Sequence, residues 1–351
     1  MTKLQYATLD FLLGRDLIPD ALLRAGTRIA TRGRRRREMR GGPVAVRART
    51  AELVAHMSSG PIAEAVNTAN EQHYGLPAEF FALFLGPRQK YSGCYWPERD
   101  DSLAAAEESM LALTCRRANV RDGMTILDLG CGWGALSLWL AERFDVRVFA
   151  VSNSARQRDW IEDRAKDRGL SDRIDVITAD INEFDPSATY DRVISIEMFE
   201  HMRNWAELTR RIASWLTPEG QLFVQTFSHR DLAYRFQGTW AAERFFTAGV
   251  MPSHDLITRF TADMATVERW SVNGLNYART LRAWLHRLDD NRDAAIDILR
   301  IGRTERQAKQ LFGTWRLFLI CTAEIWSANG GKEWMISHHL LEPIHRTPDS
   351  E

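Results

Sequence analysis

The chain has 351 residues, 45% of them apolar and 26% charged, with Lys+Arg and Asp+Glu equal at 46 each. That balance excludes an overall field for nucleic acid, and the length suits a large core with an appendage or two modest domains. Apolar runs such as Leu317–Ile320 are too short to span a bilayer, and MTKLQYATLDFLLGRD lacks a signal-peptide core, so a cytoplasmic protein is expected.

Helical apolar spacing runs through Leu9–Ala30, Glu52–Asn67 and Ala104–Cys115, so residues 1–115 read as an N-terminal helical region, a candidate lid. Asp101-Ser102 offers the start of the last of these helices. Within the region, TRGRRRREMR (Thr31–Arg40) carries six arginines and one glutamate. Such a cluster can touch anionic lipid, but it equally suits the solvated end of a basic helix, and membrane contact is not favoured. Asn70–Trp96 is dense in aromatics and punctuated by Gly75, Pro77, Gly86, Pro87 and Gly93, which predicts structured loops.

From 121 to 228 the texture changes. MTILDLG, VRVFAVS, IDVITAD, YDRVISI and GQLFVQTFS are strand candidates, separated by the helical patterns ALSLWLAERF, ARQRDWIEDRAKDRG and WAELTRRIASWL. Strand–helix alternation predicts an α/β fold, a mostly parallel sheet with helices on both faces. Residues 229–351 add helices rich in Trp and Phe and a last strand near Trp334–Leu341. The domain is therefore taken as 116–351, with a helical cap inserted at about 229–330. Cys94, Cys115, Cys131 and Cys321 show no CxxC spacing, so neither a metal site nor a disulfide framework is expected.

The segment Ile126–Gly134, ILDLGCGWG, runs a buried strand into a glycine-rich turn with a helix directly behind it. Glycine permits the sharp turn and lets a ligand approach the main chain. A dinucleotide site needs the longer G-x-G-x-x-G spacing and an acid about 20 residues onward for the ribose. Here that position holds Val151-Ser152-Asn153-Ser154, so a compact ligand without phosphate is expected.

D-L-G-C-G-W-G after a first strand resembles the S-adenosylmethionine motif of class I methyltransferases. Together with YSGCYW (Tyr91–Trp96), VSNSARQ (Val151–Gln157) and SIEMFEHM (Ser195–Met202), it is similar to the cyclopropane fatty acid synthase superfamily. NEQHYGLPAEFF, RFFTAGVMPS and GTWRLFL resemble its coclaurine N-methyltransferase branch, over about Asn70 to Leu341. The resemblance implies a Rossmann-like, seven-stranded methyltransferase sheet and S-adenosyl-L-methionine as cofactor. It implies that Gly130 and Gly132 contact the methionine part, that Asp128 holds the turn, and that Tyr91 and Ser92 close over it. Ser152, Asn153 and Gln157 take over the ribose, and Ala179, Asp180 and Ile181 pack on the adenine. Asp180 equally suits a helix N-cap.

Glu197-Met198-Phe199-Glu200-His201 follows the strand DRVISI, where open α/β sheets bind ligands. In a helix, Glu197, Glu200 and His201 share one face, and three such groups are costly to bury without a purpose. Beside a sulfonium and an amine, His201 serves as general base, Glu200 orients the imidazole, and Glu197 meets the substrate nitrogen. Tyr74, Trp315 and Phe318 fall where the resemblance places an aromatic pocket wall, although a three-residue spacing also packs a helix into a core.

The lipid-modifying members of that superfamily hold bicarbonate as base. This chain has Gly93 where they have cysteine, Gln225 where they have histidine, Trp315-Arg316 where they have tyrosine, and Glu197 where they have glycine. These changes remove ligands of the anion and add a repelling charge. The expectation is N-methylation of a small-molecule amine, coclaurine- or tetrahydroisoquinoline-like. The alternative is cyclopropanation or C-methylation of unsaturated fatty acyl phospholipids. Gly93 and Gln225 also depart from the alkaloid enzymes, so coclaurine itself is not implied. A homodimer stays open.

Overall fold

The computed structural model describes residues 3–64 and 76–344, with side chains from residue 8 onward. Helices α1 (Lys3–Gly14), α2 (Asp20–Glu38) and α3 (Gly42–His56) open the chain. The single helix expected over Leu9–Ala30 is two, because Pro19 cannot continue a helix and instead stands at the N-cap of α2. A short α4 (Ala78–Phe84) lies inside the segment expected as loops; its Phe80, Phe81 and Phe84 are buried. Helix α5 (Leu103–Arg117) starts where expected, the Ser102 hydroxyl accepting the Ala105 N–H at 3.1 Å.

The alternating region then builds β1 (Thr125–Leu129), α6 (Ala135–Arg143), β2 (Arg147–Ser152), α7 (Ala155–Asp167), β3 (Ile174–Thr178) and β4 (Tyr190–Ile196), followed by α8 (Trp205–Trp215) and β5 (Leu216–His229). A two-stranded hairpin of β6 (Tyr234–Arg235) and β7 (Val250–Met251) flanks α9 (Trp240–Phe245). After β8 (Met264–Asn273) come α10 (Gly274–Asp290), α11 (Arg292–Leu299), α12 (Glu305–Trp326) and β9 (Trp334–Pro343).

Seven strands form one sheet in the order β3-β2-β1-β4-β5-β9-β8, parallel through β5 and antiparallel at β9 and β8. The edge strand β8 is the element that hydrophobic pattern misses. Its MATVERWSVN is charged and half exposed, and its register shifts between Thr266 and Glu268. It also divides the interval expected as one helical insertion over 229–330.

β1 is central, with β2 on one side and β4 on the other, so the chain changes winding direction at the carboxyl ends of β1 and β4. That crevice is where an open α/β sheet binds ligands. Helix α12, set by a Thr304–Gln307 capping box, packs on α1, α2, α10 and α11. By contrast α2 buries no residue, and charged pairs attach it to the rest. Glu324, 3% exposed, accepts from Arg24 at 2.9 Å and Arg28 at 2.6 Å, and Arg35 pairs with Glu333 at 3.0 Å. Among the described residues no helix is long and apolar enough to cross a membrane.

Candidate active site

The β1 turn is built by left-handed glycines: Gly130 (φ 84°), Gly132 (φ 54°) and Gly134 (φ 79°). A Cβ on Gly134 would stand 2.6 Å from Ile161, so that glycine seats α6 against α7. A Cβ on Gly132 would meet nothing within 4 Å, so its open side faces space that a ligand can occupy. Behind the turn the buried Asp128 carboxylate accepts the Ser137 hydroxyl at 2.6 Å, and burial pushes its pKa up to about 6.

A cavity of about 170 Å³ lies over this turn. Its walls include Tyr91, Ser92, Asp128, Gly130, Gly132, Ser152, Asn153, Gln157, Ala179 and Ile181, expected from the sequence as cofactor contacts. Asp180 is the exception. Its carboxylate turns to Asn182, accepting the backbone N–H at 2.8 Å and the side-chain amide at 3.0 Å, an Asx turn; it caps no helix, because none follows it before β4. The donor set suits a ribose-bearing cofactor. Gln157 is 1% exposed; its Oε1 accepts from Ser152 at 2.5 Å, and its Nε2 has no partner among the described residues. A buried amide left unpaired at a cavity wall is a donor held for a ligand oxygen.

A second cavity, of about 320 Å³, adjoins the first and shares Tyr91, Glu197 and His201 with it. Helix α2 contributes Thr27, Ala30, Thr31 and Arg34 to its rim, and the cap and sheet contribute Phe227, Tyr234, Phe236, Phe246, Tyr277 and Trp326. Arg34 belongs to the arginine run, yet its charge is spent locally: it pairs with Glu38 at 2.9 Å and stands 4.4 Å over the Tyr234 ring. Phe318 lines this cavity, as expected from the sequence. Trp315 does not; it is 1% exposed and packs edge-on to Phe80, Phe81, Phe245 and Phe318 as core. Tyr74 lies outside the described residues.

Of the three residues expected as acid–base groups, Glu197 and His201 meet here and Glu200 lines neither cavity, and the three do not share one helical face. Glu197 directly follows β4 with φ 52°, and Phe199–His201 form a single 3-10 turn. The turn puts Glu197 and His201 on both cavities. Glu197 Oε1 accepts from the Gly93 N–H at 3.1 Å and Gln225 Nε2 at 3.0 Å, and Oε2 accepts the Tyr277 hydroxyl at 2.7 Å. Burial raises its pKa, against the pull of the nearby Lys90 ammonium and these donors. Glu200 does not orient the imidazole. Its Oε1 accepts the Phe227 N–H at 2.5 Å, its Oε2 has no hydrogen-bond partner among the described residues, and burial, then repulsion from Glu197, raises its pKa well above the ordinary range. The His201 ring instead stacks on Phe246 at 5.9 Å.

Tyr277 and Lys90 escaped the sequence reading. Lys90 is 2% exposed and donates to the Ser92 hydroxyl at 2.6 Å and the Gly93 carbonyl at 2.7 Å, bracing the loop that passes Glu197. Nothing in its local pattern separates it from a surface lysine. Tyr277 reads as one more apolar position of α10.

Residues 63–329 match the family model described as mycolic acid cyclopropane synthetase. Over 290 residues the chain is 37% identical to (S)-coclaurine N-methyltransferase of Thalictrum flavum subsp. glaucum, covering 80% of each chain. It is 30% identical over 219 residues to cyclopropane-fatty-acyl-phospholipid synthase of Escherichia coli (strain K12), covering 62% of this chain and 55% of that one. A crystal structure of coclaurine N-methyltransferase bound to N-methylheliamine and SAH superposes with a TM-score of 0.92 at 34% identity. It covers 96% of this chain and 99% of that one.

Proposed function

We propose that this chain, which belongs to the mycolic acid cyclopropane synthetase family and is an S-adenosylmethionine-dependent methyltransferase, methylates the nitrogen of a small aromatic amine. The observation that carries the reading is that Glu197 and His201 stand on the shared wall of a glycine-turn cavity and an aromatic cavity. The likeness to coclaurine N-methyltransferase along nearly the full fold supports the same acceptor class.

In this reading Ser152, Asn153 and Gln157 hold the ribose, Gly130 and Gly132 face the methionine part, and Ala179 and Ile181 pack on the adenine. The bound cofactor supplies an electrophilic methyl on a sulfonium. Aromatic walls with Phe318 bind the flat ring and the cationic nitrogen. Glu197 then draws the ammonium to the shared wall and, once the nitrogen is neutral, accepts its remaining N–H so that the lone pair faces the methyl. His201 takes the proton that the amine must lose. Glu200 acts as a neutral acid behind the turn, keeping a second negative charge away from Glu197. Helix α2 serves as a lid over the acceptor cavity. A cytoplasmic enzyme fits this reading, and light scattering would distinguish monomer from homodimer.

The test is direct. Purified protein with S-adenosylmethionine and a panel of tetrahydroisoquinolines and other amines should give N-methylated product. Turnover only on an oxygen or carbon acceptor, or on phospholipid vesicles in a bicarbonate-dependent way, overturns the assignment.

A further inference from the structure

A buried line of hydrogen bonds leaves Glu197 and crosses the sheet. Gln225 Nε2 donates to Glu197 Oε1 at 3.0 Å, Gln225 Oε1 meets His338 Nε2 at 3.0 Å, and His338 Nδ1 meets an Arg117 guanidinium nitrogen at 2.9 Å. Gln225 and His338 face one another in the register of β5 and β9, and both are 0% exposed. Neither lines either cavity. Arg117 ends α5, partly exposed, its guanidinium 5.0 Å over the ring of Trp270, which is the register partner of His338 on β8.

The chemistry of these groups gives the line one direction. A guanidinium only donates, so His338 Nδ1 must accept. A neutral imidazole with Nδ1 occupied carries its proton on Nε2, which donates to Gln225 Oε1. The amide is thereby oriented, and its NH₂ can only point at Glu197. Oε1 of Glu197 is then saturated by Gln225 and Gly93, which leaves Oε2, with Tyr277, as the oxygen with a free lone pair. Each link is polarised by the one before it, so the cation at one end favours the anion at the other.

We propose that Arg117, His338 and Gln225 form a positioning relay that holds the Glu197 carboxylate ionised and in one orientation for the methyl acceptor. This rests on the reading of Glu197 as the acceptor-binding group. His338 is suited to the part, because burial and then Arg117 hold its pKa well below the ordinary imidazole value and keep it neutral. Glu197 also sits at a positive φ unusual for a side-chain-bearing residue, a conformation that persists only where its surroundings hold it.

The experiment compares R117M, R117K and H338F with wild type and with E197Q. It measures kcat and KM for an amine acceptor across pH, cofactor affinity by calorimetry, and unfolding temperature. Among the described residues the other titratable groups around Glu197 are Lys90, Tyr91 and Cys94 from the neighbouring loop, Tyr277 from α10, and Glu200 and His201 on its own turn. All remain in every relay variant. Losing the relay should lower kcat/KM for the acceptor roughly tenfold in R117M, the scale of a hydrogen bond to a charged group. It should also move the acid limb of the pH profile upward and leave cofactor affinity unchanged. R117K, which still donates, should recover both readouts. Wild-type kinetics and acid limb in a folded R117M overturn the relay, whatever its unfolding temperature; if H338F fails to fold, R117M and R117K decide alone. An impaired E197Q beside an unimpaired R117M removes the relay only, whereas a fully active E197Q removes the role of Glu197 and the relay with it.

Discussion

The Tyr277 hydroxyl donates to Glu197 Oε2 at 2.7 Å, joining a cap helix to the end of a sheet strand at the boundary of the two cavities. Tyr277 is buried and Glu197 half-buried, and the Tyr277 pKa is pushed well up by burial and then by the Glu197 charge, so the phenol stays the donor. Replacing Glu197 by Gln keeps the shape and removes the charge. Steady-state kinetics should show kcat/KM for the amine falling roughly a hundredfold, with Tyr277→Phe falling about tenfold, as expected for charged hydrogen bonds. Cofactor affinity, measured by calorimetry, should stay unchanged in both.

Glu200 makes a prediction about stability against pH. Its folded-state pKa is raised, so the folded protein holds that proton more tightly than the unfolded chain does. The contribution is present at low pH and is lost as pH rises from the ordinary carboxylate range through the raised value. Glu200→Gln, which is always neutral, should therefore gain stability relative to wild type as pH rises. Thermal unfolding across pH checks it; parallel curves for the two proteins would mean that Glu200 is ionised when folded.

Gln157 tests the cofactor cavity. Its unpaired Nε2 should bond the ribose, so Gln157→Met should weaken cofactor binding by roughly five- to tenfold, the worth of about one hydrogen bond. The unfolding temperature without cofactor should change little, because losing the buried unpaired donor offsets losing the acceptor of the Ser152 hydroxyl. Calorimetric titration with S-adenosylhomocysteine gives the first number and differential scanning the second.

Helix α2 is attached by charge. Glu324 is the buried anchor for both Arg24 and Arg28, while Arg28 itself is 57% exposed. Glu324→Gln should raise KM for the acceptor and leave cofactor affinity alone. Added salt should raise the wild-type KM in the same direction, since exposed ion pairs are screened. A KM insensitive to both would leave α2 as a fixed wall.

Trp315 and Phe318 separate core from cavity. Trp315→Ala should cost about 3–5 kcal/mol of stability, the usual penalty for emptying a buried aromatic site. Phe318→Leu should be tolerated by the fold and alter acceptor KM. Chemical denaturation and kinetics on the two variants distinguish these roles.

Much of this protein was legible in its sequence, for physical reasons. ILDLGCGWG, the strand–helix alternation after it and the capping Ser102 are local patterns whose geometry follows from a few adjacent residues, so the glycine turn and most of the expected residues that line its cavity could be placed in advance. The Glu197–His201 stretch could also be singled out in advance, because carboxylates beside an imidazole are rarely buried idly, and Glu197 and His201 do line both cavities. Only tertiary structure decided the rest. It turned Glu200 onto the Phe227 main chain instead of His201, placed Trp315 in the core, and brought Tyr277, Gln225, His338 and Arg117 to Glu197. Those partners come from α10, β5, β9 and α5, and a hydrogen bond between residues far apart in the chain leaves no local pattern. The exposed strand β8 was illegible for a related reason, since its place at the sheet edge is set by its partner β9.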